Sequence, residues 1–290
     1  MIDIPVLSVQ GCSLPDAWER AMLAVYDNGI DVSTEYDTPG DPPSKDATVM
    51  VTVLDPLADP RIHKNFPGGP TDLEVYRQEV VDGIHDHWID PKAGKWTYTY
   101  HHRLFEFKDA AGNSCNQMQY VVDKLIECFY SRRAQAVTWN QITDPPTSDP
   151  PCLQRLWFRM TWVPQISDYA GGFYLLNVNS HWRSRDLYKA WFMNAYAITS
   201  LAQYVAHEIE NRIGFSVILG RYVDISDSLH IYGSYLSSRN GEHVTEEIEK
   251  YRDHNWMERS FSSQTLEPMF QEARVNLAKN PDFYAKGDVE

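Results

Sequence analysis

Cysteine is scarce: four residues in 290, at Cys12, Cys115, Cys128 and Cys152, with no CxxC pair and no zinc-ligand spacing. That excludes a disulfide framework and fits a reduced, cytoplasmic setting. Long hydrophobic runs are missing as well. No segment offers the about 18 apolar residues that a bilayer span needs, and Met1 to Val6 lacks the basic and apolar blocks of a secretory leader. Basic residues are outnumbered, 26 Lys and Arg against 40 Asp and Glu, for a net charge of −14. So acidic a surface repels phosphate backbones and anionic lipid, which excludes broad nucleic-acid or membrane binding. A few arginines around one small anion remain compatible with it. There is no Walker loop, no GxGxxG and no GxSxG, which argues against P-loop, Rossmann and common serine-hydrolase chemistry. His207-Glu-Ile-Glu-Asn211 starts like a zinc-protease helix but has asparagine where the second histidine belongs. His85-Asp86-His87 could chelate a metal, yet it follows a helix end, where histidine is favoured by the dipole. No metal is expected.

What is present is ordinary globular chemistry, 43% hydrophobic and 23% charged. The length allows two domains, but no linker or internal repeat divides it. A single α+β domain over residues 1–290 is expected. Ser13 caps a first helix that stops at Asn28-Gly29, and Asp37 to Asp46 reads as a loop. Ala47 to Leu54 is an apolar β-branched strand. Thr71 and Glu74 have capping-box spacing for a helix ending at Gly83. Trp96 to Phe107 alternates like a strand or hairpin arm, and Met118, Val121, Val122 and Leu125 share a helix face. Strands are expected over 133–139, 153–163, 173–179, 216–225 and 229–232. Leu187 to Asn211 is a helix apolar nearly all round, hence central. Two amphipathic helices follow, around 244–251 and 266–277.

Three of the cysteines have no cation cluster nearby in sequence and read as small buried or loop residues. Cys152 differs, because it follows Pro150-Pro151 at the head of a strand. Ser131-Arg132-Arg133 lies upstream of it, and Arg183-Ser184-Arg185-Asp186 lies downstream, before the apolar helix. Forked guanidinium donors and a hydroxyl near a helix start suit a phosphate. The same potential would lower the pKa of a nucleophilic thiol.

These strings, together with Asn194 and His230-Ile231-Tyr232, resemble in order the folate-dependent thymidylate synthase family, including related pyrimidine-nucleotide hydroxymethylases. The resemblance implies a large, mixed, mainly antiparallel twisted sheet flanked by helices, with two sheets packed back to back in a homodimer. It implies C5 methylation of dUMP with 5,10-methylenetetrahydrofolate as cosubstrate. Cys152 would add to uracil C6. Arg183 and Ser184 would hold the phosphate, and Arg132 and Arg133 would reach the phosphate of the neighbouring subunit. Asn194 would read the base edge, while His230 and Tyr232 would hold the sugar hydroxyl. Glu79 would organise proton transfer at O4, Tyr100 would help remove the C5 proton, Asp186 would bind the pterin, and Trp88 and Trp96 could stack on it.

The chain departs from the pattern at several points. Leu153 follows the nucleophile in place of a histidine, and Trp182 precedes Arg183 in place of a glutamine. Only Lys45 and Arg61 are near the place of an early phosphate-binding arginine, and the tail from Ala285 to Glu290 is not apolar. Two rival expectations follow: hydroxymethylation of dUMP, dCMP or CMP at the same nucleophile, and a non-catalytic nucleotide-binding module.

Overall fold

Strands of this chain alternate between a helix-covered side and an open side, and that alternation organises everything else. The computed structural model describes residues 3–34, 36, 38–108, 111–164, 171–237 and 244–285. Strand β1 (Val6–Gly11) leads into α1 (Leu14–Asn28), β2 (Ile30–Val32), β3 (Ser44–Val53) and the short β4 (Ile62–His63). Helix α2 (Gly69–Asp82) and helix α3 (Tyr100–Phe105) come next, then the two-residue strands β5 (Phe107–Lys108) and β6 (Ser114–Cys115). Helix α4 (Gln117–Glu127) is followed by β7 (Gln135–Val137), β8 (Leu153–Val163), β9 (Phe173–Trp182) and β10 (Arg185–Asp186). The long α5 (Trp191–Ile213) and β11 (Val217–Ile231) precede α6 (Gly233–Leu236), α7 (Val244–Lys250), β12 (Ser260–Phe261) and α8 (Ser263–Lys279).

Eight strands form one sheet in the order β1-β3-β11-β9-β8-β7, with β2 on β3 and β10 on β11. Pairing is mixed: β1 with β3, β9 with β11 and β10 with β11 run parallel, and the other four pairings are antiparallel. On β8 the side chains of Leu153, Leu156, Phe158 and Met160 are buried, while Arg155 and Arg159 between them and Thr161 just beyond are exposed. On β3 Ala47, Val49, Val51 and Val53 are buried and Met50 is exposed. The buried side is roofed by α1, α4 and α5, and α2 packs on α5. No helix among the described residues is long and apolar enough to cross a membrane.

Several local expectations hold for the stated reason. Ser13 accepts from Asp16 N–H and opens α1. Gly83 ends α2 in the left-handed region, with φ 68°. A side chain there would also run into the His101 ring.

Others are corrected. Helix α2 starts at Gly69, before Thr71, so no capping box forms; Glu74 instead accepts from Arg77 and Gln78 inside the helix. Residues 96–106 hold no strand, and of the expected arm only Phe107 belongs to one, the two-residue β5. Thr99 caps α3 by accepting from His102 N–H, and the aromatic alternation wraps onto a helical turn. Helix α5 begins at Trp191 with Ala190 as cap, so Arg183 to Asp186 lie before it, and Arg185 and Asp186 form β10. The two strands expected over 216–232 are one strand, β11, irregular in register between Ser226 and Leu229. Strands β1 and β2 were not anticipated; each is short, and β1 is recognisable only through its parallel partner β3. The expected loop shrinks, because Ser44 to Asp46 already belong to β3, while Asp37 lies outside the described residues.

Candidate active site

Cys152 sits where two proline carbonyls and a strand start meet. Prolines 150 and 151 have no N–H to offer, and each presents its carbonyl to a neighbour. Arg183 supplies both bonds, Nη2 to Pro150 O at 2.6 Å and Nε to Pro151 O at 3.1 Å. Its backbone N–H donates to Cys152 O at 2.9 Å. On the other side Leu153 N–H donates to the Tyr100 hydroxyl at 3.2 Å. The nucleophile candidate is therefore pinned by Arg183 and Tyr100, two residues the sequence had singled out, and is itself only partly buried. By contrast, Cys12 and Cys115 are exposed.

The electrostatic expectation needs correcting. Burial pushes the Cys152 thiol above its usual range, and Asp149 adds to this. The Arg183 and Arg185 guanidinium groups pull the other way without winning. Alkylation of Cys152 by iodoacetamide in the free protein is accordingly expected to be slow at neutral pH and still rising at pH 9, after subtraction of the rate for a Cys152→Ala chain. A plateau near neutrality would contradict this.

A cavity of about 370 Å³ is lined by Tyr76, Glu79, Trp96, Tyr98, Tyr100 and Asp149 among others; Cys152 does not line it and is linked to it through Tyr100. Tyr100 is half-buried, and burial together with the nearby Cys152 pushes its hydroxyl well above the usual phenol range. Tyr98 hydrogen-bonds to Tyr100 and is pushed up for the same first reason, burial. Asn194, one turn into α5, donates from Nδ2 to the Tyr76 hydroxyl at 2.8 Å. Glu79, one turn along α2 from Tyr76, accepts from His85 Nδ1 at 2.9 Å. His85 in turn stacks on Trp88 at 3.6 Å between centroids. Sequence reasoning missed Tyr76 and Tyr98. The i, i+3 relation to Glu79 was a signal for the first, and the Tyr-Thr-Tyr run was a signal for the second.

A second cavity of about 350 Å³ is lined by Ser184, His230 and Tyr232, with Asp46, Ser228 and Tyr36. Here three residues expected on sugar and phosphate do converge. Arg132 and Arg133 are exposed and line neither cavity. Neither candidate for the early arginine reaches this place. Lys45 pairs with Asp31 at 2.6 Å. Arg61 is buried, donating to Pro56 O and Thr199 Oγ1 with its guanidinium 4.3 Å over the Tyr196 ring.

The expected folate ligands do not come together. Trp96 lines the first cavity and Trp88 meets it edge-on at 4.9 Å, neither ring being sealed in the core. Asp186 is the register partner of His230 and accepts from the Tyr235 hydroxyl at 2.7 Å and from Lys189 N–H at 2.9 Å. It does not line the aromatic cavity. The tail beyond Ala285 lies outside the described residues.

Both replaced positions are packing residues. Leu153 is buried. Trp182 is buried too, donating to Ser180 Oγ at 2.9 Å, with its ring edge-on to Tyr100 at 5.8 Å. The Arg185 guanidinium lies 4.0 Å above the Trp182 ring and pairs with buried Asp224. His85, Asp86 and His87 are taken up by protein partners: Glu79, then His101 with Thr99, then Asp282. Among the described residues no group of three or more His, Cys, Asp or Glu side chains could hold a metal ion.

The family profile described as Thymidylate synthase matches residues 66–271. A Methanosarcina acetivorans protein named "Putative thymidylate synthase" is 26% identical over 224 residues, 77% of this chain and 88% of that protein. A Methanocaldococcus jannaschii protein of the same name is 26% identical over 235 residues, covering 78% and 91%. The solved structure of thermostable thymidylate synthase A from Bacillus subtilis superposes with a TM-score of 0.57 at 16% identity, over 82% of this chain and 84% of that one. That structural likeness carries the fold alone. With the family profile spanning Glu79, Cys152, Arg183, Asn194 and His230 in one match, the chain belongs to the thymidylate synthase family.

Proposed function

We propose that this chain is one catalytic domain over residues 1–290 that transfers a one-carbon unit to C5 of a uracil nucleotide. Methylation of dUMP is the reference reaction. What supports the reading is the placement of Cys152 between Arg183 and Tyr100, the latter lining a cavity that also holds Glu79 and Tyr76, the hydrogen-bond partner of Asn194. Uracil is an enone-like ring, so sulfur adding at C6 leaves C5 carbanion-like and able to attack an electrophilic carbon. 5,10-Methylenetetrahydrofolate, as cosubstrate, supplies that carbon and the hydride. The aromatic wall of Trp96, Tyr98 and Tyr100 suits a flat heterocycle.

The chain's own groups have distinct tasks in this scheme. Asn194 offers donor and acceptor to the base edge, oriented by Tyr76. Glu79, held by His85, would relay a proton at O4, and the Tyr100 hydroxyl beside Cys152 would assist loss of the C5 proton. The raised thiol calls for activation on binding: a nucleotide phosphate drawing Arg183 would rearrange the Pro-Pro-Cys turn it now ties down. Arg132 and Arg133, exposed beside the open sheet face, would serve the phosphate of a second subunit in a homodimer.

The test is product analysis after incubating the full chain with a uracil nucleotide and the folate. A product heavier by one methylene unit, with dihydrofolate formed, is expected. A product bearing CH2OH with no dihydrofolate would replace methylation by hydroxymethylation while keeping Cys152 as nucleophile. No C5 product from uracil or cytosine nucleotides would sink the enzymatic reading altogether.

A further inference from the structure

One buried side chain joins the wall of the aromatic cavity to the segment that follows α8. We propose that His85 is the positioning residue for Glu79: as an imidazolium it bridges the Glu79 carboxylate to the Pro281 carbonyl, so the segment after α8 fixes where that carboxylate points. The task of Glu79 rests on the reading above; the bridge and its charge rest on geometry alone.

Three observations carry it. First, His85 is 3% exposed, in the turn just after Gly83 ends α2, and both of its ring nitrogens face an acceptor. Nδ1 lies 2.9 Å from Glu79 Oε2, and Nε2 lies 3.3 Å from Pro281 O. A backbone carbonyl can only accept, and so can an ionised carboxylate, so each nitrogen donates. A neutral imidazole has a single N–H and leaves one of the two contacts as a meeting of lone pairs. Second, the ring lies flat on Trp88, with 3.6 Å between centroids and 8° between planes. An indole face attracts a cation in that arrangement, which places the shared proton on the imidazole rather than on Glu79. Third, the far end is anchored. Asp282 Oδ1 accepts from Trp88 Nε1 at 2.8 Å and from His87 Nε2 at 2.9 Å, which holds Pro281 against His85.

The ionisable groups around His85 are Glu79 from α2, Asp282 from the segment after α8, and His87 from its own turn at 6.5 Å between rings. The two carboxylates favour the charged ring, and the half-exposed His87 opposes it through solvent. With Oε2 tied to His85, Glu79 has Oε1 to offer the cavity it lines. A proton-transfer group that loses such a tie is free to turn away, and small misplacements cost rate more than they cost binding.

The experiment compares the full chain with Asp282→Ala and Asp282→Asn, the substituted side chain being half-exposed. Imidazole 15N NMR, with a His85→Gln chain to assign the signals, reads the proton count of His85 against pH. Steady-state kinetics with a uracil nucleotide and the folate reads turnover. In the parent chain both His85 nitrogens carry a proton at neutral pH. In Asp282→Ala the second proton is lost about one pH unit lower, and kcat falls about tenfold with nucleotide KM within about twofold. Asp282→Asn, which keeps a carbonyl acceptor for the same two donors, restores most of both. A single proton on the parent ring at neutral pH overturns the proposal, and so does an Asp282→Ala chain whose His85 titration or kcat matches the parent. A parent chain without turnover would sink the enzymatic reading, and the NMR titration would still uphold or overturn the bridge.

Discussion

Replacing Cys152 by alanine lowers turnover by at least about 10⁴-fold, with uracil-nucleotide affinity retained within about tenfold. The asymmetry follows from what the sulfur touches. Its own contribution to ground-state binding is small, because Cys152 is held through its backbone: the Arg183 N–H bonds to its carbonyl, and the Pro150 and Pro151 carbonyls are tied by the same guanidinium. None of those bonds needs the side chain. Covalent addition at C6, in contrast, has no substitute, since Tyr98 and Tyr100 beside it are pushed far from ionisation by burial. Single-turnover assay and nucleotide titration of the same preparation check both halves. Turnover within tenfold of the parent would remove Cys152 from the chemistry.

The second large effect is on stability. Asp224 is fully buried on β11 and accepts from Ser180 Oγ at 2.9 Å, the Tyr222 hydroxyl at 2.5 Å and Trp191 Nε1 at 3.2 Å, while pairing with Arg185. Arg185 Nε and Nη1 already have no hydrogen-bond partner. Asp224→Ala would leave a buried guanidinium with no counter-charge and remove the shared acceptor of Trp191, Tyr222, Ser180 and Ser226, of which only Ser180 and Tyr222 keep each other. A loss of about 3–5 kcal/mol is expected from breaking one side of such a pair. Chemical denaturation of parent and variant measures it. A loss below about 1 kcal/mol would mean that water or a neighbour replaces the carboxylate. Because Arg185 lies against Trp182, and Trp182 against Tyr100, the same network underlies the wall of the aromatic cavity.

How much of this was legible in the chain differs from element to element. Helices α1, α4 and α8 and strands β3, β8 and β9 were readable, because each buries one side and its apolar spacing reports that directly. Helix α3 was not. Six residues give little more than one turn of periodicity, and Trp96 to Phe107 alternates because its aromatics serve a cavity wall. The start of α5 was misplaced because Leu187 and Tyr188 are buried without being helical; Leu187 N–H instead bonds to His230 O at 2.8 Å. Among the site residues, Cys152 and Arg183 were legible through local strings and Tyr100 through the family resemblance alone, and the structure brings them together. Tyr76 and Asp46 were hidden, since each acquires its place only through a distant partner, Asn194 for one and His230 for the other. The sign of the Cys152 shift was hidden as well: nearby arginines are visible in sequence, whereas burial, the larger effect, is not.

Release of tritium from a uracil nucleotide labelled at C5 tests the covalent step most directly, because C5 gives up its hydrogen only after C6 has been attacked. With the folate present, the parent chain is expected to release label in step with product and the Cys152→Ala chain to release none above background. Equal release from both chains, or product from the parent chain with the label retained, would contradict the account.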